Sequence, residues 1–391
     1  MRSVLLFAAL ALAACDDASP ATTPAVDAGV GPTDSTPPDA APAVDALEEL
    51  LEPIRAANAL PALAAAVFSS DGLLAIGAVG ARKLGDPTPV TRDDKWHLGS
   101  DTKAMTATLI ALDVADAKIA WSTTLAAAFP ETLDAGYRDV TIEQLLQHRG
   151  GAPANVPDDL WSEMWKAGDP RALRRAAVLG MLQRAPETTP GTAFLYSNAG
   201  YMTAGAALED ATADAWESRM RTRLFAPLAM TTCGFGAPAT VGNVDQPWGH
   251  VIKSGKPAPI APGRLADNPA ALGPAGTVHC SLADWGRFLA VHLRGARGVP
   301  TSLPALQPAA FEKLHTPPAG GDYALGWIVA DRAWGGGTVL THSGSNTMFF
   351  ATAWLAPKRD RAFVAVTNLG GEGAAKAVDA AFGPLIARYA K

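Results

Sequence analysis

The spacing of apolar positions divides the chain into segments of different character. Leu47, Leu50, Leu51 and Ile54 recur at helical spacing and predict a helix over residues 46–60. Apolar runs at 63–70 and 73–80, joined by Asp71-Gly72, predict a hairpin. A helix follows from Ser100 to about residue 116, then loop and a short helix at 121–129. Residues 140–148 form a capped helix ended by Gly150-Gly151, and 171–182 an amphipathic one. Pro190-Gly191 marks a turn, an approach segment leads into a helix start at 196–201, and 204–225 reads as helical. Residues 234–276, rich in Pro and Gly, form the longest irregular part, after which Ser281 caps a helix running to about 293. Runs at 323–330, 338–342, 349–356 and 362–368 predict successive strands, and 374–389 a final helix. Strands early and late with helices between them predict an α/β fold, an antiparallel sheet flanked by helices and built from both chain ends. The expected α/β part covers about 46–115 and 270–391, and a mostly helical inserted subdomain about 116–269.

The first 45 residues follow none of these periods. Arg2, the apolar run from Val4 to Leu12, and Leu12-Ala13-Ala14-Cys15 have the parts of an export signal, and the run is too short to span a bilayer. A cysteine at the cleavage point resembles a bacterial lipoprotein signal, which implies lipidation at Cys15. The expected location is therefore the bacterial periplasm or cell surface, held to a membrane by that lipid, the alternative being a secreted protein. Residues 16–45 lack Lys, Arg and aromatic residues, and their Ala/Pro/Asp/Thr-rich composition predicts a disordered tether.

Composition narrows the function classes. A chain of 391 residues with 48% hydrophobic and 18% charged residues can bury a large core. A net charge of −6 with no basic stripe gives no support for a nucleic-acid partner. Three cysteines are too few for a disulfide scaffold. Cys233 and Cys280 could pair in an oxidising compartment, but spacing alone does not place them within bridging distance. His-Glu-x-x-His, Cys-x-x-Cys and Gly-x-Ser-x-Gly are all absent, so no metal site and no α/β-hydrolase elbow is expected. No cofactor is expected either. The sequence does not fix the oligomeric state; a monomer is the expectation.

The chemistry centres on Ser100-Asp101-Thr102-Lys103. A serine and a lysine three apart at a helix start share one face. A serine hydroxyl is a poor nucleophile until a neighbouring base takes its proton, and Lys103 is placed to do so. The helix start adds unpaired backbone N–H groups that favour developing negative charge. Taken alone, the pattern is more often a helix cap followed by a solvated lysine.

Two further segments in order remove that ambiguity: Tyr196-Ser197-Asn198 and His342-Ser343-Gly344. Together the three resemble the active-site elements of the penicillin-recognising serine hydrolases, in the branch of class C β-lactamases, D-Ala-D-Ala carboxypeptidases and related esterases. The likeness extends through Leu145-Leu146-Gln147-His148, Pro190-Gly191, Gly273-Pro274-Ala275-Gly276 and Gly326-Trp327, over about residues 47–389. It implies that Ser100 forms an acyl-enzyme, with Lys103 and Tyr196 both candidates for the base. It also implies that Asn198 holds the acyl side chain or orients Lys103. The backbone N–H groups of Ser100 and of Ser345, the residue after Gly344 of the third motif, would receive the oxyanion, with Gly344 part of the same substrate-binding and oxyanion region. Trp327 is a candidate for the cleft wall.

Three departures from the family pattern bear on substrate. His342 stands where β-lactamases usually carry lysine, and an imidazole binds a carboxylate less firmly than an ammonium does. Met348 stands where a glycine is usual, and Arg149 replaces a small hydroxyl residue. The resemblance implies a small-molecule acyl substrate: an ester, a D-Ala peptide or amide, or a β-lactam. The rival reading is a non-catalytic lipoprotein of the same fold that binds penicillins or cell-wall fragments.

Overall fold

The computed structural model describes residues 44–391. The expected leader with Cys15, and the expected tether as far as residue 43, lie outside the described residues. In chain order the strands are β1 (Asp45–Ala46), β2 (Ala62–Ser69), β3 (Gly72–Gly80), β4 (Lys95–His97), β5 (Gly234–Phe235), β6 (His250–Lys253), β7 (Lys256–Pro259), β8 (Val278–Ser281), β9 (Ile328–Arg332), β10 (Gly337–Ser345), β11 (Phe350–Ala356) and β12 (Arg361–Thr367). The main sheet has the order β1-β3-β2-β12-β11-β10-β9. It is antiparallel except where β1 pairs with β3. A smaller sheet sets β8 between β4 and β5, and β6–β7 is a separate hairpin.

The helices that position the site are α1 (Glu48–Ala57), α2 (Thr102–Ala115), α3 (Ile142–Leu146), α4 (Pro170–Leu182), α5 (Asn198–Thr212), α6 (Gly273–Gly276), α7 (Leu282–Ala296), α8 (Pro308–His315) and α9 (Glu372–Tyr389). Both faces of the sheet are covered, which is why β2 and β11 are apolar, alanine-rich and buried at every position. On one face Leu51 and Phe382 pack with Val67 and Phe363. On the other, α7 crosses so closely that a Cβ at Gly286 would lie 2.1 Å from the Phe68 ring. That face continues into the core around α2 and α5. The result is the mixed α/β architecture expected, with the sheet drawn from both chain ends.

Several local expectations change. The fold begins at Asp45, one residue inside the expected tether. The helix expected over 204–225 is broken: α5 ends at Thr212, Ala213 takes a left-handed φ of 56°, and the chain restarts at Trp216. The break serves a buried charge cluster. Trp216 N–H donates to Glu209 Oε1 at 2.8 Å, while the fully buried Arg174 on α4 pairs with both Glu209 and Glu217. Arg174 also donates to the carbonyl of Ala271, next to α6. Residues 234–276 are less irregular than their Pro and Gly content predicts, since they hold β5, the β6–β7 hairpin and α6. The strand expected at 323–330 begins only at Ile328. Before it, Gly326 (φ +85°) presses against α2, where a Cβ would meet the Ala104 backbone at 2.6 Å.

Cys233 and Cys280 are disulfide-bonded. Cys280 lies on β8 opposite Trp96 of β4, the strand that leads into Ser100. Closing a loop of this length stabilises a fold by about 4 kcal/mol in the chain-entropy treatment. Replacing both cysteines with alanine is expected to lower unfolding stability by about 2–4 kcal/mol in denaturant titrations. An unchanged midpoint would show that the cross-link adds nothing to this fold.

Candidate active site

β4 delivers the chain to a 3₁₀ turn, Gly99–Asp101, that opens α2. Gly99 has a φ of +53°, and a Cβ there would fall 2.2 Å from the Ser345 nitrogen. From the other side, a Cβ on Gly344 would fall 2.0 Å from the Leu98 oxygen and 2.4 Å from the Ser100 nitrogen. Only glycines allow the end of β10 to lie this close to the nucleophile turn. The amides of Ser100 and Ser345 are thereby brought side by side around a half-buried Ser100.

α2 is buried on every side over most of its length, which explains its continuous Ala, Met, Leu and Ile content. Lys103 is 0% exposed. Its Nζ lies 2.9 Å from Ser100 Oγ, 2.7 Å from Asn198 Oδ1 and 2.7 Å from the Ala275 carbonyl oxygen of α6. It also sits 4.8 Å from the centre of the Tyr196 ring. Burial lowers the pKa of this amine well below the usual lysine range, and the Asp101 carboxyl opposes that shift. Asp101 is itself buried, both its oxygens lack a partner, and desolvation drives its pKa well above the carboxylate range against the pull of Lys103.

Ser197 caps α5: its Oγ accepts the Gly200 N–H at 2.8 Å and donates to the Pro153 carbonyl at 2.5 Å. This cap fixes Tyr196 and Asn198 on either side of it. Asn198 donates from Nδ2 to Asn155 Oδ1 at 2.9 Å, which turns its Oδ1 toward Lys103. Burial raises the Tyr196 phenol above its ordinary pKa, and the nearby Ser100 hydroxyl pulls it partly back. Behind it, His148 takes a left-handed φ of 57° at the end of the α3 turn, a role expected of Gly150 or Gly151. Its Nδ1 accepts the Ser197 N–H at 3.0 Å, and its ring lies 4.3 Å from that of Tyr196. Burial, with Lys103 and His342 adding to it, holds His148 well below its usual pKa.

His342 is 3% exposed, and both its ring nitrogens are used internally. Nδ1 lies 2.8 Å from the Ser343 carbonyl and Nε2 3.0 Å from the Tyr323 hydroxyl. The carbonyl can only accept, so the ring proton sits on Nδ1 and Tyr323 donates to Nε2. Burial, then the nearby Lys103 charge, lowers its pKa to about 3. The ring is neutral at ordinary pH.

The structure therefore brings Ser100, Lys103, Tyr196, Asn198, His342, Gly344 and Ser345 together. It does not do so for Trp327. That ring is 1% exposed and lies against Phe288 and His292 in the core, so it forms no wall of an open cleft. Met348 is half-buried against Gly249, and the Arg149 guanidinium lies over Gly321 in the loop before Tyr323. None of the other six histidines is exposed. Residues missed by sequence reasoning are Ala275, whose backbone oxygen acts, and Asn155, Tyr323 and Phe194. Tyr323 meets the rings of His148 and His342, and the half-exposed Phe194 meets His148 and Tyr323. No spacing in the sequence marks these aromatic positions; the Gly273–Gly276 segment was visible, but not its carbonyl's role. Among the described residues no group of His, Cys, Asp and Glu is arranged to hold a metal ion.

Comparison with known proteins shows the family and the fold. A family model described as Beta-lactamase matches residues 47–387. Penicillin-binding protein 4 of Amycolatopsis lactamdurans is 30% identical over 252 residues, 63% of this chain and 63% of that protein. A protein named Beta-lactamase from Escherichia coli (strain K12) is 26% identical over 223 residues, 56% of this chain and 55% of that one. The matched stretch thus spans less than two thirds of either relative. The octameric penicillin-binding protein homologue from Pyrococcus abyssi shares the fold, with a TM-score of 0.72 and 20% identity over 88% of this chain and 77% of that one. From the first helix to the last, and around a serine and lysine joined at one helix start, this chain belongs to the beta-lactamase family.

Proposed function

We propose that the protein is a serine hydrolase that cleaves an uncharged ester or peptide-like amide through an acyl-enzyme on Ser100. The observation that carries this reading is the setting of Lys103. Two of its three neighbours, Asn198 Oδ1 and the Ala275 carbonyl, can only accept hydrogen bonds. They occupy two amine hydrogens and leave the lone pair of a neutral amine directed at the Ser100 hydroxyl, 2.9 Å away. Burial favours that neutral form. Lys103 then takes the Ser100 proton as Oγ bonds to the substrate carbonyl carbon. The amides of Ser100 and Ser345 receive the oxyanion; one such donor is typically worth about 3–4 kcal/mol. The Tyr196 phenol, held protonated by its raised pKa, hands its proton to the departing oxygen or nitrogen and regains one from the Lys103 ammonium. Water repeats the sequence in reverse on the acyl-enzyme.

His342 favours uncharged substrates over carboxylate-bearing ones. It offers the substrate no ammonium and no spare N–H. The reading further places the protein outside the cytoplasm, tethered through Cys15. Its supports are the leader pattern and the Cys233–Cys280 bond, which oxidising compartments sustain.

Fluorophosphonate labelling followed by mass mapping is expected to mark Ser100. Ser100→Ala is expected to abolish the label and cut turnover of p-nitrophenyl butyrate by at least about 10³-fold. On one preparation that ester should be turned over faster than nitrocefin or a D-Ala-D-Ala peptide; the opposite ranking would refute the substrate assignment. Because protonation removes the lone pair, kcat/KM should fall on acidification, with its midpoint well below the ordinary lysine value of ~10.4. A rate still climbing through that ordinary value would show that the amine is not desolvated as described. Labelled palmitate should enter the full-length chain expressed in bacteria and be absent from Cys15→Ser; equal labelling of both would remove the anchor from this reading.

A further inference from the structure

Three segments far apart in sequence meet behind the nucleophile turn. His97, at the end of β4, is 0% exposed, and its Nδ1 accepts the Gly99 N–H at 3.1 Å. The ring proton therefore lies on Nε2, which sits 2.8 Å from Asp267 Oδ1. The same Asp267 oxygen accepts from Asn346 Nδ2 at 3.1 Å. Asn346, the residue after Ser345, turns its own Oδ1 to the backbone N–H groups of Met348 and Phe349, at 3.2 and 3.0 Å. The Phe349 ring closes the circuit, 6.1 Å from that of His97. Asp267 and Asn346 are 7% and 2% exposed. None of the three touches Ser100, Lys103 or Tyr196 through a hydrogen bond.

One end of this bridge grips the residue before Ser100, and the other grips the turn that begins at Ser345. We infer that Asp267, acting through His97 and Asn346, is a positioning residue that sets the separation of the Ser100 and Ser345 amides. Its neighbour Asn268 donates to the Gly276 carbonyl at 3.2 Å, so adjacent residues hold both the oxyanion amides and the helix that carries the Ala275 oxygen. Asp267 suits this role because one oxygen accepts from Asn346 Nδ2 and lies within ion-pair distance of His97 Nε2. The other oxygen is buried without a hydrogen-bond partner. Without the bridge, β10 and the nucleophile turn still meet through Gly99 and Gly344, so the site survives but its two donors drift.

This inference rests on the hydrolase reading, and the experiment separates the two. Using p-nitrophenyl butyrate, with active sites counted by fluorophosphonate, Asp267→Ala is expected to lower kcat by about 10–100-fold with KM changed less than about three-fold. Asn346→Ala should do the same, and the double variant should be little worse than either single one. Asp267→Asn keeps an acceptor oxygen for both partners and should restore kcat to within about three-fold of the parent. Lower melting temperatures with unchanged kcat per labelled site would overturn the inference and leave the hydrolase reading intact. Absence of Ser100-dependent turnover in the parent would overturn both. Should Asp267→Ala fail to fold, Asn346→Ala decides alone, since it leaves the His97–Asp267 contact in place.

Discussion

The site depends on one amine kept dry. Lys103 enters the interior with no carboxylate hydrogen-bonded to it, only two oxygens that accept and one hydroxyl that can give. Burying an ammonium without a paired anion is costly, so the interior selects the neutral form, and that form is the one able to deprotonate a serine. Much of the surrounding architecture serves this setting. α2 is buried around the lysine, α5 presents Asn198 from a capped start, and α6 offers a backbone oxygen held in place by contacts from Arg174 and Asn268.

The same low-polarity surroundings act on each titratable neighbour in the sense that leaves it uncharged. His148 and His342 are pushed down, Tyr196, Tyr323 and Asp101 up. The cleft thus holds acids and bases in abundance and little net charge. Aromatic rings from two segments, Phe194 and Tyr196 from one and Tyr323 from the other, stand around it. This lining, with the internal use of both His342 nitrogens, is what supports the proposed preference for an uncharged acyl group.

What the sequence made legible was the part set by local rules. Ser100 and Lys103 share a helix turn, Ser197 is a capping residue, and Asp71-Gly72 makes a hairpin; each is decided within a few residues. The order of the three active-site segments carried the family, and with it the sheet built from both ends. What stayed hidden depends on partners distant in the chain. Ala275 matters through a backbone oxygen, which no side-chain pattern reveals. Trp327 next to Gly326 looked like a cleft residue, but the glycine's close contact with α2 turns that strand entry inward, and the ring goes to the core. The helix across 204–225 breaks because Glu209 recruits the Trp216 amide and Arg174, a tertiary demand that overrides helical propensity.

The strand pairing has a consequence for how the molecule comes into being. β2 finds its partner in β12, far later in the chain, and Ser345 joins Gly99 only once β10 exists. A nascent chain emerging from the ribosome therefore carries its serine long before the Ser345 amide can lie beside it. The chemistry proposed for Ser100 therefore waits on a segment far further along the chain, the one that carries β10.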